Sequence, residues 1–304
     1  MATAPKLSVG PILYYWDREK IFDFYQMLAD APVDIVYLGE TVCAKRSLIR
    51  LEEWFEIADT LAAAGKEVVL STMALLEADS ELKRLRRICE NDRYLVEAND
   101  MGAINLLQGK PFVSGHSVNL YNERTLALLA KKGMKRWVLP VELSHETLAD
   151  LQAHRPENVE TEVFAYGRLP LAYSARCFTA RAHNLPKDDC QYRCLDYPDG
   201  LTLSAQDNTR FLALNGIQTQ SAQTFNLLAE LARIRELKVD VIRLSPQANW
   251  MENIIKLFSK TLAGELSPDE GADKLLRWMP VGSCDGYWYG DAGMLDHARR
   301  EIAG

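Results

Sequence analysis

Three of the six cysteines in this 304-residue chain, Cys177, Cys190 and Cys194, fall within the 22 residues YSARCFTARAHNLPKDDCQYRC. Thiolates bind metal ions and iron–sulfur clusters, and they also act as nucleophiles. In a reducing compartment, clustered cysteines favour metal binding or reactivity over structural disulfides. The stretch therefore predicts a metal or thiol site.

The composition is that of a globular protein, with 48% hydrophobic and 25% charged residues. The net charge of −7 would repel a phosphate backbone, so we expect no nucleic-acid partner. The first residues, MATAPKLSVGPILYYW, have no basic stretch before a long apolar run, and no segment approaches the roughly 18 apolar residues that span a bilayer. We therefore expect a cytoplasmic protein without a membrane span.

Eight short apolar runs alternate with segments whose apolar residues recur at helical spacing. This alternation predicts strand-helix units, and the continuous apolar character of the runs predicts buried parallel strands. Eight units favour a (β/α)8 TIM-barrel-like α/β fold, with an open doubly wound sheet and a smaller second domain as the alternative. The predicted strands are PILYYW from Pro11, DIVYLG from Asp34, EVVLST from Glu67, YLVEAN from Tyr94, PFVSGH from Pro111, WVLPVE from Trp137, VFAYG from Val163 and VDVIRLS from Val239.

The spacing of these strands breaks once, because strands seven and eight begin 76 positions apart, at Val163 and Val239. The interval holds the cysteine-rich stretch and LTLSAQDNTRFLALNGIQTQ, which is typical of a hairpin around Asp207. We predict an elaborated loop after strand seven, over about residues 173–222, within a single domain of residues 1–304.

The barrel fold predicts which cysteines meet, because functional groups gather at the carboxyl ends of the strands. Cys43 follows strand two, and the other three candidates follow strand seven. Four thiolates are the full set for tetrahedral zinc or an iron–sulfur cluster. Only Cys190 and Cys194 are spaced as a zinc knuckle, and ferredoxin spacing is absent, so a cluster, a zinc ion and no shared ligand stay open. Cations that would stabilise thiolates are Lys45, Arg176, Arg181 and Arg193.

Polar residues at other strand ends are candidates for substrate binding or proton transfer, and only their location supports them. A structural role is the alternative for each, as a satisfied histidine, a helix cap or half of an ion pair. Arg243 either binds a substrate carboxylate with both arms or neutralises a buried acid. The candidates are Glu97, Asn99, His116, Asn119, Glu142 and Arg243, whereas Cys89 and Cys284 are expected to pack as small hydrophobes.

Longer stretches of distinctive sequence are spread along the chain. They are GPILYYW from Gly10, DIVYLGETVCAKR from Asp34, RWVLPVELS from Arg136, YGRLPLAYSARCFTAR from Tyr166, PKDDCQYRC from Pro186, NGIQT from Asn215 and DVIRLSPQ from Asp240. In combination, these stretches resemble the UbiV family of the collagenase-like peptidase superfamily, and the resemblance covers essentially the whole chain.

The resemblance implies a [4Fe-4S] cluster on Cys43, Cys177, Cys190 and Cys194. It also implies a heterodimer with a UbiU-like protein that takes part in oxygen-independent hydroxylation during anaerobic ubiquinone biosynthesis. Prephenate is the implied source of the hydroxyl oxygen, and a lipid-binding accessory protein is implied to present the prenylated ring.

The superfamily's peptidase label is not expected to apply, because the sequence lacks a G-x-S-x-G elbow and an H-E-x-x-H motif. Two rival functions remain open. One is an RNA-hydroxylating enzyme, since relatives in the superfamily modify RNA. The other is a zinc-stabilised binding scaffold without chemistry of its own.

Overall fold

The computed structural model describes residues 4–297 of the chain, which form a mixed α/β architecture. The strands of this part are β1 (Lys6–Val9), β2 (Ile35–Leu38), β3 (Glu67–Ser71), β4 (Leu95–Ala98), β5 (Phe112–Ser114), β6 (Met134–Val138), β7 (Glu160–Gly167), β8 (Pro170–Tyr173), β9 (Leu201–Ser204), β10 (Arg210–Asn215), β11 (Gln218–Ser221), β12 (Thr224–Asn226), β13 (Val241–Leu244) and β14 (Ser283–Cys284). The α-helices are α1 (Arg18–Asp30), α2 (Leu51–Ala63), α3 (Asp79–Cys89), α4 (Met101–Leu106), α5 (Glu123–Lys131), α6 (His145–Ala153), α7 (Phe178–Ala182), α8 (Leu231–Glu236), α9 (Met251–Leu262) and α10 (Pro268–Leu276).

Eight parallel strands, β1 to β7 and β13, close into a barrel. The closure is made by β13, in which Val241 lies opposite Lys6 of β1 on one side and opposite Glu162 of β7 on the other. The strands are buried on both faces because one face lines the barrel and the other packs under the helices. The predicted (β/α)8 fold is confirmed.

The helices pack one apolar face against the barrel. In α1, for example, Ile21, Phe24, Tyr25 and Leu28 are buried, and Asp17 caps the helix by accepting a hydrogen bond from the amide of Lys20. Each of the barrel strands β1 to β6 is followed along the chain by a helix, and β13 is followed by α9. The loops at the carboxyl ends of the strands therefore gather into one face, which we call the barrel mouth.

The first predicted strand is wrong in position. The run from Pro11 is not a strand, and β1 is formed instead by Lys6–Val9. The run is apolar because the segment after β7 covers it: Leu13 packs against Ile217, and Trp16 Nε1 donates to the carbonyl of Pro198 at 2.7 Å. A covered loop and a buried strand thus have the same composition.

The sixth predicted strand begins three residues earlier than expected, at Met134 rather than Trp137. The intervening Lys135 and Arg136 interrupt the apolar run, although Arg136 is only 2% exposed. A buried charge therefore concealed the start of this strand. The remaining six predicted strands overlap β2, β3, β4, β5, β7 and β13.

The segment after β7 forms a second sheet, with the antiparallel order β8-β11-β10-β9. The predicted hairpin around Asp207 is confirmed, since Asp207 Oδ1 accepts from the amide of Thr209 at 2.9 Å between β9 and β10. The chain leaves the barrel at Gly167, whose φ is +128° and where a Cβ atom would lie 2.5 Å from Ser245 Cβ. Only glycine fits this exit.

Beyond the second sheet, β12 extends the barrel sheet beside β7, and β14 pairs with β12. The sequence pattern did not predict α10 or β14. Across residues 4–297, no helix is both long enough and apolar enough to cross a membrane.

Candidate functional site

Cys43 stands on a loop that leaves β2 at the barrel mouth. Glu40 Oε1 holds this loop by accepting hydrogen bonds from the amides of Val42, at 2.9 Å, and Cys43, at 3.0 Å. The turn begins at Gly39, whose φ is +130° and where a Cβ atom would lie 2.6 Å from the Ser71 carbonyl oxygen. The backbone at Cys43 is therefore fixed by both sterics and hydrogen bonds.

Cys177 follows β8 of the second sheet and lies beside the Cys43 loop. Its Sγ caps α7 by accepting from the amide of Ala180 at 3.4 Å. Cys43 and Cys177 pack against one small apolar cluster, formed by Leu13, Val42 and Ile217.

Cys190 and Cys194 lie in the turns that follow α7. The two are joined by a bend in which Gln191 and Tyr192 adopt positive φ, and the amide of Arg193 donates to the carbonyl of Cys190 at 3.2 Å. Negative charge on Cys177 would raise the pKa of both Cys43 and Cys194, so these three thiols lie within electrostatic reach of one another.

We refer to Cys43, Cys177, Cys190 and Cys194 together as the cysteine rim. Cys43 and Cys177 pack against the same apolar cluster, Cys194 lies within electrostatic reach of Cys177, and Cys190 lies four residues before Cys194 in the same turn-rich segment. All six cysteines are free of disulfides, and the four of the rim are half-buried. Cys89 and Cys284 are 2% and 0% exposed and belong to the main apolar core.

Arg46 is the buried cation of the cysteine rim. Its side chain is 1% exposed, and Glu40 lies 3.9 Å from Nη1. Nη1 donates to the carbonyl of Leu13 at 2.6 Å, and Nη2 donates to Asn215 Oδ1 at 2.7 Å. The third nitrogen, Nε, is buried without a hydrogen-bond partner among the described residues.

Burial raises the pKa of two rim thiols. The pKa of Cys43 rises to about 11 because of desolvation, which the amide of Lys45 and the charge of Arg46 oppose. Desolvation also raises the pKa of Cys194, against the charge of Arg46 and a side-chain hydrogen bond between the two residues. Without further positive charge these thiols are protonated at neutral pH, and a metal centre supplies such charge.

The cations predicted to serve the thiols are not buried with them. Arg176, Arg181 and Arg193 are exposed, and Lys45 donates to the Lys187 carbonyl at 2.9 Å. The residues that sequence reasoning missed are Arg46 and Glu40. Their signal was present in ETVCAKR, where an acid precedes Cys43 by three positions and an arginine follows it by three.

A second polar group runs through the interior of the barrel. Arg243 Nε donates to Glu162 Oε1 at 2.8 Å, and Nη1 donates to Glu97 Oε1 at 2.7 Å. Tyr37 joins it by donating to Glu162 and by placing its ring centroid 4.0 Å from Arg243 Cζ. We call Tyr37, Glu97, Arg136, Glu162 and Arg243 the barrel-axis network.

The charges of the barrel-axis network compensate one another. Burial would raise the pKa of Glu162, but Arg243 and Arg136 outweigh burial and lower it. At its other end the network continues to Glu67 and Glu160, which both pair with Arg136. Arg243 thus neutralises two buried acids, which is one of the two roles that the sequence allowed.

His116 lies where the barrel-axis network reaches the mouth. It lines a cavity of about 20 Å³ together with Glu97, Arg243, Thr41 and Tyr173, enough for one or two water molecules. Both ring nitrogens of His116, Thr41 Oγ1 and Arg243 Nη2 are buried without a partner among the described residues. Desolvation lowers the pKa of His116 from 6.5 to about 4, so the ring is neutral at neutral pH.

The other strand-end candidates lie at the same mouth. Asn99 is buried and donates to the Thr72 carbonyl at 2.9 Å, and its own carbonyl accepts from Ser117 Oγ at 2.7 Å, which fixes the turn that carries His116. Asn119 ends this turn with a φ of 59°. Glu142 is exposed and accepts from the Tyr121 hydroxyl.

The donors of the cysteine rim decide whether it fits a metal centre. Within residues 4–297, no three His, Cys, Asp or Glu side chains are arranged so that they could hold a metal ion as they stand. The rim does provide four free thiols, together with the buried, unpaired Nε–H of Arg46. Four thiols and a buried N–H without an acceptor match the chemistry of an iron–sulfur cluster.

Comparison with known proteins gives one family match and several solved structures to which this chain is similar. The model of peptidase family U32 matches residues 17–264. A solved U32 peptidase is 11% identical, with a TM-score of 0.45, over 81% of this chain and 95% of that chain. Dihydropteroate synthase (FolP) from Thermus thermophilus is 11% identical, with a TM-score of 0.40, over 84% and 93%. N-acetylneuraminate lyase from Aliivibrio salmonicida is 13% identical, with a TM-score of 0.34, over 86% and 76%.

Proposed function

This chain belongs to peptidase family U32, and we propose that it is the iron–sulfur subunit of an oxygen-independent hydroxylase in anaerobic ubiquinone biosynthesis. The observation that supports the proposal is the packing of Cys43 and Cys177 against one apolar cluster, with Cys194 within electrostatic reach of Cys177 and the buried Arg46 in the turn of Cys43. Residues more than a hundred positions apart converge there, in a chain whose motifs resemble the UbiV family.

The four residues of the cysteine rim would hold a [4Fe-4S] cluster. A bound cluster supplies one-electron redox chemistry. The chain's own part is to place the thiols: Glu40 fixes the Cys43 loop, and the apolar cluster beneath Cys43 and Cys177 excludes water from one side. Half-buried thiols also leave the rim accessible to a partner.

Peptidase activity is not part of the proposal, despite the name of the family. Among residues 4–297, the hydrogen bonds of histidine rings go to a backbone carbonyl, a tyrosine hydroxyl and two aspartates. A nucleophile and base in contact are the minimum for serine or cysteine proteolysis, and none of these bonds joins a histidine to a serine or cysteine.

A division of labour between subunits follows from the cavity at the barrel mouth. At about 20 Å³ it admits one or two water molecules, so a substrate ring fits only if the covering residues move. We infer that a UbiU-like partner supplies the larger part of the pocket for prephenate and the quinone precursor, which a lipid-binding accessory protein would present. His116, Glu97 and Arg243 would then face a small polar group of the substrate.

Anaerobic purification tests the cluster assignment. We expect about four irons and matching sulfide per chain, with the broad visible absorbance of a cluster. Cys177→Ala should lose most of the iron, whereas the matched control Cys89→Ala, in the apolar core, should keep it. Full iron in Cys177→Ala would contradict the proposal, and zinc without iron would select the scaffold instead.

Coexpression tests the choice between quinone and RNA chemistry. Stable copurification with a UbiU-like protein, together with anaerobic hydroxylation of the quinone precursor, is the expected result. An affinity for RNA that falls steeply with salt would favour the RNA-hydroxylating alternative.

A further inference from the structure

Arg46 differs from the other cations near the cysteine rim because its side chain is buried. Its side chain is 1% exposed, and burying a guanidinium is costly unless every arm is paired. Two arms are paired, to Leu13 and Asn215. The third arm, Nε, is buried and has no hydrogen-bond partner in residues 4–297, and Arg46 lies three positions after Cys43.

The surroundings of Arg46 indicate what this third arm is for. Glu40, at 3.9 Å, offsets part of the charge, but its oxygen is occupied by two backbone amides. The ring centroid of Tyr15 lies 5.6 Å from Arg46 Cζ, and the amide of Arg46 donates to the Cys43 carbonyl at 3.0 Å. A buried N–H that lacks an acceptor, in the turn that carries Cys43, is explained by a sulfur acceptor at the rim.

A glycine in a left-handed conformation leaves room for the Arg46 side chain. Gly216 has a φ of +65°, and a Cβ atom at this position would lie 3.0 Å from Nη2. The amide of Gly216 bonds Thr179 of the Cys177 helix at 2.9 Å. Arg46 therefore bridges three loops of the barrel mouth: its own, the loop of Leu13 and the turn of Asn215.

We propose that Arg46 is the positioning residue of the four-thiolate site: from the turn that carries Cys43, its buried charge and unpaired Nε–H set metal retention and the reduction potential. The inference rests on the proposed function in naming an iron–sulfur cluster as the occupant. Hydrogen bonds to sulfur and nearby charge are the means by which proteins tune such clusters.

Four variants separate the electrostatic role from a merely structural one. Arg46→Met removes charge and donors, and Arg46→Lys keeps the charge. Asn215→Ala removes a structural partner of Arg46 but leaves the guanidinium, and Lys45→Met removes a neighbouring cation that bonds Lys187 and Asp188 instead. Each is purified anaerobically and challenged with a chelator, and the reduction potential is measured by titration followed by electron paramagnetic resonance.

Arg46→Met should lose iron to the chelator about 10- to 100-fold more readily than the wild type, which is the usual cost of losing a residue that supports a metal ligand. Its potential should shift to more negative values, because the reduced cluster carries the greater negative charge. Arg46→Lys should recover most of the potential, and Asn215→Ala and Lys45→Met should keep it. Wild-type potential in Arg46→Met, or an equal shift in Asn215→Ala, would overturn the proposal.

The same set distinguishes this inference from the proposed function. If the wild type carries zinc, the cluster assignment fails, but Arg46→Met should still release zinc about 10- to 100-fold more readily. If the wild type binds no metal, both proposals fail. If the wild type binds iron and Arg46→Met retains it equally, only the role of Arg46 is lost.

Discussion

The barrel-axis network and the cysteine rim meet at the same mouth, yet they differ in how completely their polar groups are partnered. In the barrel-axis network, Glu162 accepts from Ser8, Tyr37 and Arg243, and among the described residues only Nη2 of Arg243, at the mouth, is a buried side-chain atom of the network without a partner. In the cysteine rim, four thiols and the Nε of Arg46 have few partners within the protein. Saturated polar groups serve the fold, whereas unsaturated ones indicate a ligand.

The largest effect that would test this comparison is expected from Arg243→Met. The variant leaves Glu97 and Glu162 buried without their shared cation, and breaking a buried pair in this way costs about 3–5 kcal/mol. Denaturant unfolding measures the loss. The control Arg87→Met removes an exposed pair with Glu52 and should cost less than about 1 kcal/mol.

Equal losses in Arg243→Met and Arg87→Met would show that the barrel-axis network does not stabilise the fold. Arg243→Lys, which keeps the charge but loses the two-armed contact, should lie between the wild type and Arg243→Met. This variant gives a readable result even where Arg243→Met does not fold.

A smaller effect is expected from pH, at the point where the network meets the mouth. The pKa of His116 falls from 6.5 to about 4 on folding, so the unfolded chain binds the proton first as pH drops. The stability that His116 contributes is present above about pH 6.5 and is lost down to pH 4, by about 3 kcal/mol.

His116→Gln should abolish this part of the acid destabilisation. The measurement is the free energy of unfolding at pH 7 and at pH 4, for the wild type, His116→Gln and the control His154→Gln, whose ring is exposed. An unchanged pH dependence in His116→Gln would mean that solvent reaches the ring in the wild type. The barrel-axis network would then be open to water at the mouth, and its difference from the cysteine rim would be smaller than proposed.

The barrel could be predicted from the sequence because each buried strand is recognised from one short run of residues. Continuous apolar runs at Asp34 and Glu67 predict buried strands without knowledge of their neighbours. The rule that loops meet at the carboxyl ends of strands then predicted the approach of Cys43 to Cys177. The run at Pro11 failed, because cover by a distant segment gives a loop the composition of a strand.

The ion pairs inside the barrel could not be predicted from short runs of sequence. Arg243 and Glu97 were separate candidates in the sequence, and their contact joins positions 146 residues apart. The contact depends on the register of strands around the closed barrel, which no single run specifies. Arg46 was missed for a related reason: exposed and buried cations look alike in sequence, and only the loop of Leu13 and the turn of Asn215 bury this one.

The smallest effect is expected at the exposed edge of the cysteine rim. Asp188 is 99% exposed and lies 3.3 Å from Lys45 Nζ. Because water screens this pair and Lys45 keeps its bond to the Lys187 carbonyl, Asp188→Asn should cost less than about 1 kcal/mol in unfolding free energy and leave iron retention unchanged. If Asp188→Asn loosened iron as much as Arg46→Met, solvent-exposed charges would govern the rim, and burial of Arg46 would no longer explain how the thiols are held.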